Sequence, residues 1–124
     1  MTCSRPGNRG ERGAVTAELA LGLPLLVAVT TGLVWLLAVG TAQVRAVDAA
    51  RETARAVARG DQVGEAVDRG ARVAPDGAEV GVGGSGSEVL VTVTAAVPGP
   101  GGMFDFLPPV RVRAEAVTAA EEPP

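Results

Sequence analysis

The stretch LALGLPLLVAVTTGLVWLLAVGTAQV, residues 19–44, contains no charged side chain in 26 consecutive positions. It holds eight of the ten leucines of the chain and the only tryptophan, Trp35. As an α-helix it would be about 39 Å long, whereas the hydrocarbon core of a bilayer is about 30 Å thick. We therefore expect a helix that crosses a membrane once.

Pro24 and three glycines interrupt this stretch. A proline inside a helix removes one backbone hydrogen bond, and membrane helices tolerate this better than soluble ones. We expect a kink at Pro24 that is either harmless or part of an assembly function.

Residues 41–59 contain no glycine or proline and are rich in alanine, so we expect the helix to continue beyond the membrane. At 100° per residue the segment divides into a small apolar side and a charged side. The apolar side comprises Val47, Ala50, Ala54, Val57 and Ala58, and the charged side comprises Arg45, Asp48, Arg51, Glu52, Arg55 and Arg59. Ion pairs are expected at the i,i+3 spacings, and the small side is expected to pack on a helix or a thin sheet.

Gly60 and Asp61 predict a helix stop followed by an N-cap, which would start a shorter helix over about 62–73. The last third of the chain alternates with period 2 at 88–97 and 110–117, with a weaker strand at 78–82. We expect 88–97 and 110–117 to pair as antiparallel strands, with the helix at 43–59 on their valine face.

The predicted fold class is therefore α+β. A long N-terminal transmembrane helix continues as an amphipathic helix and is followed by a short helix and a small antiparallel β-hairpin or sheet. The large apolar residues outside the span are few, so one small domain is expected.

Composition excludes several kinds of chemistry. The chain has 124 residues, a formal net charge of −3, no histidine and one cysteine, Cys3, so it has no Ser–His–Asp triad and no intramolecular disulfide. We expect no enzyme activity, no metal and no cofactor. The acidic balance also argues against a nucleic-acid partner, because phosphate binding needs an excess of basic side chains.

Two features of the distal part have competing interpretations. Gly81–Gly86 match G-x-G-x-x-G, but the next segment has a strand pattern where a dinucleotide site needs a helix, so a turn is predicted. The loop that contains Phe104, Phe106 and Leu107 forms either an exposed docking knob or part of the core.

The segment RGAVTAELALGLP, residues 12–24, places a carboxylate, Glu18, at the start of the apolar helix. A basic leader, a glycine, a small residue and a glutamate five positions after the glycine resemble the class III signal sequences of type IV pilin-like proteins. Glu18 to Pro24 further resemble the TadE-like minor pseudopilins of the tight-adherence (Flp-type) pilus and secretion system. The resemblance covers about residues 10–45, although Leu19 stands where that family usually has an aromatic residue.

The resemblance implies that a prepilin peptidase cuts between Gly13 and Ala14. It also implies that Glu18 and Pro24 serve assembly, with Glu18 neutralising the Ala14 amine of a neighbouring subunit. The expected domains are a leader at 1–13, a pilin-type membrane helix at 14–44 and an extracytoplasmic domain at 45–124. We expect the leader and the EEPP tail to be disordered, and the N-terminus to be cytoplasmic. The expected partners are the peptidase, other pilin or pseudopilin subunits, the Tad machinery and the membrane.

Two other functions remain open from the sequence. Gly40-Thr41-Ala42 could be a signal-peptidase site that releases residues 43–124, although the apolar run is longer than the 7–15 residues of a signal sequence. Alternatively, the chain is an uncleaved single-pass regulator. The positive-inside rule does not decide the topology, because three arginines precede the span and four lie within about 15 residues after it.

Overall fold

The computed structural model of the chain describes residues 8–100 and 106–119. Its helices are α1 (Asn8–Ala58) and α2 (Val63–Val73), and its strands are β1 (Glu79–Gly83), β2 (Glu88–Val97) and β3 (Val110–Ala119). The predicted α+β architecture is confirmed. Strand β1, predicted at 78–82, begins one residue later than predicted, and strand β3, predicted at 110–117, ends two residues later.

Helix α1 begins earlier than the sequence predicted. Residues 8–13, expected to be disordered, form its first turns, and Glu11 lies where a carboxylate interacts favourably with the helix dipole. The helix assignment is unbroken through Pro24 and through the predicted continuation to Ala58. The rest of the predicted leader, residues 1–7, and the EEPP tail lie outside the described residues.

The chain divides into two units, residues up to Val34 and residues from Trp35 onward. In the first unit the described residues are a single helical segment whose apolar side chains are exposed, Leu21 to 77% of its surface. No other described element of that unit covers them.

The second unit contains a three-stranded antiparallel sheet in the order β1-β2-β3. In the register, Val80 lies opposite Val93, and Val93 lies opposite Ala114. These residues share one face of the sheet with Val91 and Val112, because alternate residues of a strand point to the same side. The predicted antiparallel pairing of the two long strands is confirmed.

The core of this unit lies between that face of the sheet and the alanine-rich part of α1. Its buried members are Ala42, Ala46, Ala49, Ala50, Ala54, Ala74, Val91, Val93, Ala95, Val112 and Ala114. The prediction that the helix packs on the valine face is confirmed. Because the helix contributes mainly alanine, the largest fully buried side chains in the described residues are only Val91, Val93 and Thr53.

Helix α2 packs against α1 through Gly70. A Cβ atom at Gly70 would collide with Thr53 Oγ1 and lie 3.2 Å from the Ala49 carbonyl oxygen. Thr53 is fully buried, and its hydroxyl has no hydrogen-bond partner among the described residues. The two helices therefore approach closely at a position where only glycine fits.

The junction between the helices differs in part from the prediction. Gly60 has φ of +94°, as expected of a residue that ends a helix, but the N-cap of α2 is Gln62. Asp61 instead forms ion pairs with Arg59 at 3.7 Å and with Arg69 at 3.3 Å. Two neighbouring guanidinium groups thus hold the carboxylate that was predicted to cap the helix.

The glycine-rich motif forms the end of β1 and the turn into β2. Gly84 and Gly86 have φ of +134° and +67°, and a Cβ at Gly84 would collide with the Glu88 carbonyl oxygen. The turn interpretation is confirmed, and β2 follows where a nucleotide site would need a helix. In the long loop, Phe106 is 79% exposed and so does not contribute to the core, while Phe104 lies outside the described residues.

Candidate processing and assembly site

The predicted processing and assembly residues all lie on the first half of α1. Ala14 and Glu18 are four residues apart in a continuous helix, so they lie on the same face about one turn apart. Pro24 follows less than two turns later. The structure therefore places the predicted residues along one helix and does not bring any other described segment of that unit onto them.

Gly13 has open space around it. Apart from the two adjacent residues and the nearby backbone of the helix itself, no described heavy atom lies within 4 Å of the position that a Cβ would occupy. The adjacent Arg12 carbonyl oxygen accepts a hydrogen bond of 2.9 Å from the Thr16 hydroxyl. Gly13 is therefore exposed on the surface of the helix.

Glu18 is exposed and makes no hydrogen bond or ion pair with any described residue. Its neighbours Val15 and Leu19 are apolar and are also exposed, to 56% and 59%. A carboxylate in such surroundings is tolerated where water reaches it. It is costly if apolar surfaces close over it without a counter-charge.

The surroundings of Pro24 are equally open. Leu23 and Leu25 are 58% and 66% exposed, and a Cβ at Gly22 would contact nothing. Pro24 has no N–H, so the Ala20 carbonyl oxygen lacks the usual i→i−4 hydrogen bond. Leu23 and Leu25 beside Pro24 are available to lipid or to another helix.

The apolar run is suited to a membrane by length and composition, and α1 is the one described helix with this property. Two of its threonines bond within the helix: the hydroxyls of Thr31 and Thr41 donate to the carbonyl oxygens of Val27 and Leu37 at 2.7 and 2.9 Å. The helix can therefore enter hydrocarbon without unpaired hydroxyl groups at these positions.

The end of the apolar run belongs to the folded core of the second unit. Val39 packs against that core and Ala42 is buried within it. The Gln43 amide nitrogen donates a 3.0 Å hydrogen bond to the Arg113 carbonyl oxygen on β3. Sequence reasoning missed this overlap, because valine and alanine suit lipid and a protein core equally well.

The charged side of α1 differs from its prediction. Asp48, Arg51, Glu52 and Arg55 were expected to form i,i+3 ion pairs, but none of them has an ion pair or side-chain hydrogen bond among the described residues. Glu52 is partly buried and the other three are exposed. These four side chains therefore do not form the predicted ion pairs within the helix.

A comparison with known families found a match in the first part of the chain. Residues 13–55 match the family model described as TadE-like protein. No curated protein and no solved structure gave a significant match. Residues 13–55 are therefore TadE-like, and the described residues contain one helix that is long and apolar enough to cross a membrane.

Proposed function

We propose that the protein is a TadE-like minor pseudopilin, a structural or assembly component of a tight-adherence pilus or secretion system, without enzyme activity. The observation that carries the proposal is the TadE-like match. It begins at Gly13 and includes Glu18 and the apolar helix. TadE-like proteins are a structural, pilus-related family.

In this proposal a prepilin peptidase removes the leader by cutting between Gly13 and Ala14. The start of the family match at Gly13 and the open space around that glycine support this position. A protease must fit closely around the bond that it cuts, and a glycine permits the closest approach.

Cleavage would convert the Ala14 backbone nitrogen into a charged amine at the end of an apolar helix. Glu18 has no partner among the described residues, and its neighbours Val15 and Leu19 are exposed and apolar. In a bundle of such helices, the Glu18 carboxylate of one subunit can pair with the Ala14 amine of the next. Each charge would otherwise be buried without compensation.

The membrane-embedded part is proposed to be shorter than the charge-free run. Because Val39 and Ala42 belong to the protein core, only about residues 19–38 would lie in the hydrocarbon core of the bilayer. These 20 residues would form a helix of about 30 Å, which equals the thickness of a bilayer core. The leader is proposed to be cytoplasmic and the sheet-containing unit extracytoplasmic.

The place of Ala42 also bears on the alternative of a secreted fragment. A cut after Ala42 would remove that buried residue and the packed Val39 from the core of the product. The core is already built from small side chains, so this loss favours a chain that stays attached to its helix.

The proposal is tested by measuring how much of a Glu18→Leu variant is recovered in sheared pili. Breaking a buried ion pair costs about 3–5 kcal/mol, which reduces incorporation by more than a hundredfold. We expect the variant to be inserted and largely cut, because the scissile bond is five residues away. It should remain in the membrane fraction and be lost from pili, as measured by quantitative immunoblotting.

Glu11→Gln is the matched control, because Glu11 lies on the same helix but is removed with the leader in this proposal. Its product should enter pili at the wild-type level. If Glu18 only interacted with the helix dipole, its replacement would cost at most about 1 kcal/mol. Wild-type recovery of Glu18→Leu in pili would then refute the assembly role.

A further inference from the structure

The outer side of α1 carries two short stripes of opposite charge. Asp48 and Glu52 form the acidic stripe, and Arg51 and Arg55 form the basic stripe. Residues within each stripe are one helical turn apart, and the stripes lie about 60° apart around the helix. Both face away from the alanine side that packs on the sheet.

The charged side chains of the two stripes are not paired within the described part of one chain. None of the four side chains has an ion pair or hydrogen bond there. Like charges at i,i+4 also repel each other within each stripe. Together with Val73 of α2, the four residues line an open groove of about 280 Å³. The groove is thus lined by unpaired side chains of both charge signs and by one apolar side chain, Val73.

We infer that this groove binds a second copy of the same chain, with the basic stripe of one copy against the acidic stripe of the other. This inference rests on the proposed function, in which several copies are anchored by the same apolar helix. Copies inserted with one orientation have parallel α1 helices at the same height. Their stripes are then brought side by side in register.

The register allows ion pairs between copies. Along the helix axis Arg51 and Glu52 differ by about 1.5 Å, and Arg55 and Glu52 by about 4.5 Å. An arginine side chain can bridge either offset. Charge complementarity therefore exists for parallel copies at equal height, without sliding one helix along the other.

The contact can be two-fold symmetric, because both stripes line the same groove about 60° apart around the helix. When two parallel copies face each other across this groove, the acidic stripe of each copy lies opposite the basic stripe of the other. Such a contact is isologous and uses both stripes of each copy. The geometry therefore suits a parallel dimer.

Energy transfer between full-length chains in phosphatidylcholine vesicles tests the inference. Cys3 is the only cysteine, so it can carry either the donor or the acceptor dye. We expect Arg51→Glu/Arg55→Glu and Asp48→Arg/Glu52→Arg each to weaken self-association at least tenfold. Mixing these two variants should restore association, since each keeps the stripe that the other needs, and reversing all four charges in one chain should also restore it.

Arg72→Glu/Arg111→Glu is the matched control for Arg51→Glu/Arg55→Glu, because it changes the net charge by the same amount at exposed positions outside the stripes. It should associate like the wild type, and circular dichroism should show that every variant is folded. Undetectable wild-type association, wild-type association of both stripe variants, or failure of the mixture to recover would overturn the inference. The assay uses the uncut chain, so its result is independent of processing at Gly13 and of pilus entry.

Discussion

Gly70 is the residue on which the contact between α1 and α2 depends. A methyl group there would collide with Thr53 Oγ1 and press on the Ala49 carbonyl oxygen. We expect Gly70→Ala to lower the free energy of unfolding by about 1–3 kcal/mol, the usual cost of overpacking. Thermal unfolding of the full chain in detergent, followed by circular dichroism, measures this loss.

Two further variants distinguish this collision from a general effect on the helix. Gly64→Ala lies on the same helix with nothing within 4 Å, so it should stabilise by about 0.4–1 kcal/mol. Adding Thr53→Ala to Gly70→Ala removes the colliding, unpartnered hydroxyl and should recover at least about 1 kcal/mol. Strict additivity of the two substitutions would show that Gly70 does not press on Thr53.

This residue-level contact could not be predicted from the sequence. A glycine inside a helix ordinarily indicates lower helix stability, and a threonine beside the charged residues of a helix gives no sign of burial. Asp61 shows the same limit, because its local sequence favours a cap whereas in the structure its carboxylate pairs with Arg59 and Arg69. Local propensity therefore identified the junction between the two helices but not the partners of these side chains.

Among the elements, the alanine side of α1 sets how closely the helix approaches the sheet. Ala46 is fully buried against that sheet, whereas Val44, two residues earlier, is 60% exposed. We expect Ala46→Leu to lower the free energy of unfolding by about 1–3 kcal/mol, because three extra carbon atoms have no space. Denaturant unfolding of the full chain in detergent measures the difference.

Val44→Leu is the matched control, since it adds one carbon to a side chain on the exposed side of the same helix. It should change stability by less than about 0.5 kcal/mol. Equal stability of Ala46→Leu and wild type would contradict close helix–sheet packing.

The elements themselves were largely predictable, because their periods differ. Valine alternation in β2 and β3 specified both strands and the face that α1 covers. The buried alanines were less predictable, since Ala46 and Ala49 are buried without any contrast in side-chain type to mark them. An alanine-rich helix indicates that small side chains pack against a neighbour, but its sequence does not show which of the alanines are buried.

For the whole molecule, the overlap of the apolar run with the protein core predicts the depth of the helix in the membrane. If hydrocarbon covers residues 19–38, the deepest position is near 28–29, whereas a span over 19–44 would place it near 31–32. Spin labels at single cysteines along α1, in a Cys3→Ser chain in vesicles, report depth by oxygen and nickel accessibility. A minimum of nickel accessibility at 31–32 would contradict the shorter span.

The expected division of the chain into a leader, a membrane helix and an extracytoplasmic domain stays a prediction. The charge-free run and the match over 13–55 agree on a membrane-associated first part. Neither marks where lipid ends and protein core begins, because Val39 and Ala42 are apolar in both settings. That boundary depends on tertiary packing with the sheet, which no local pattern encodes.

The N-terminus of the membrane-resident protein tests the central claim most directly. Intact-mass and N-terminal peptide analysis should find a chain that begins at Ala14, and Gly13→Leu should leave the leader attached because the peptidase cannot approach the bond. A chain beginning at Met1 in the presence of active prepilin peptidase, or at Gln43, would contradict the proposed pseudopilin.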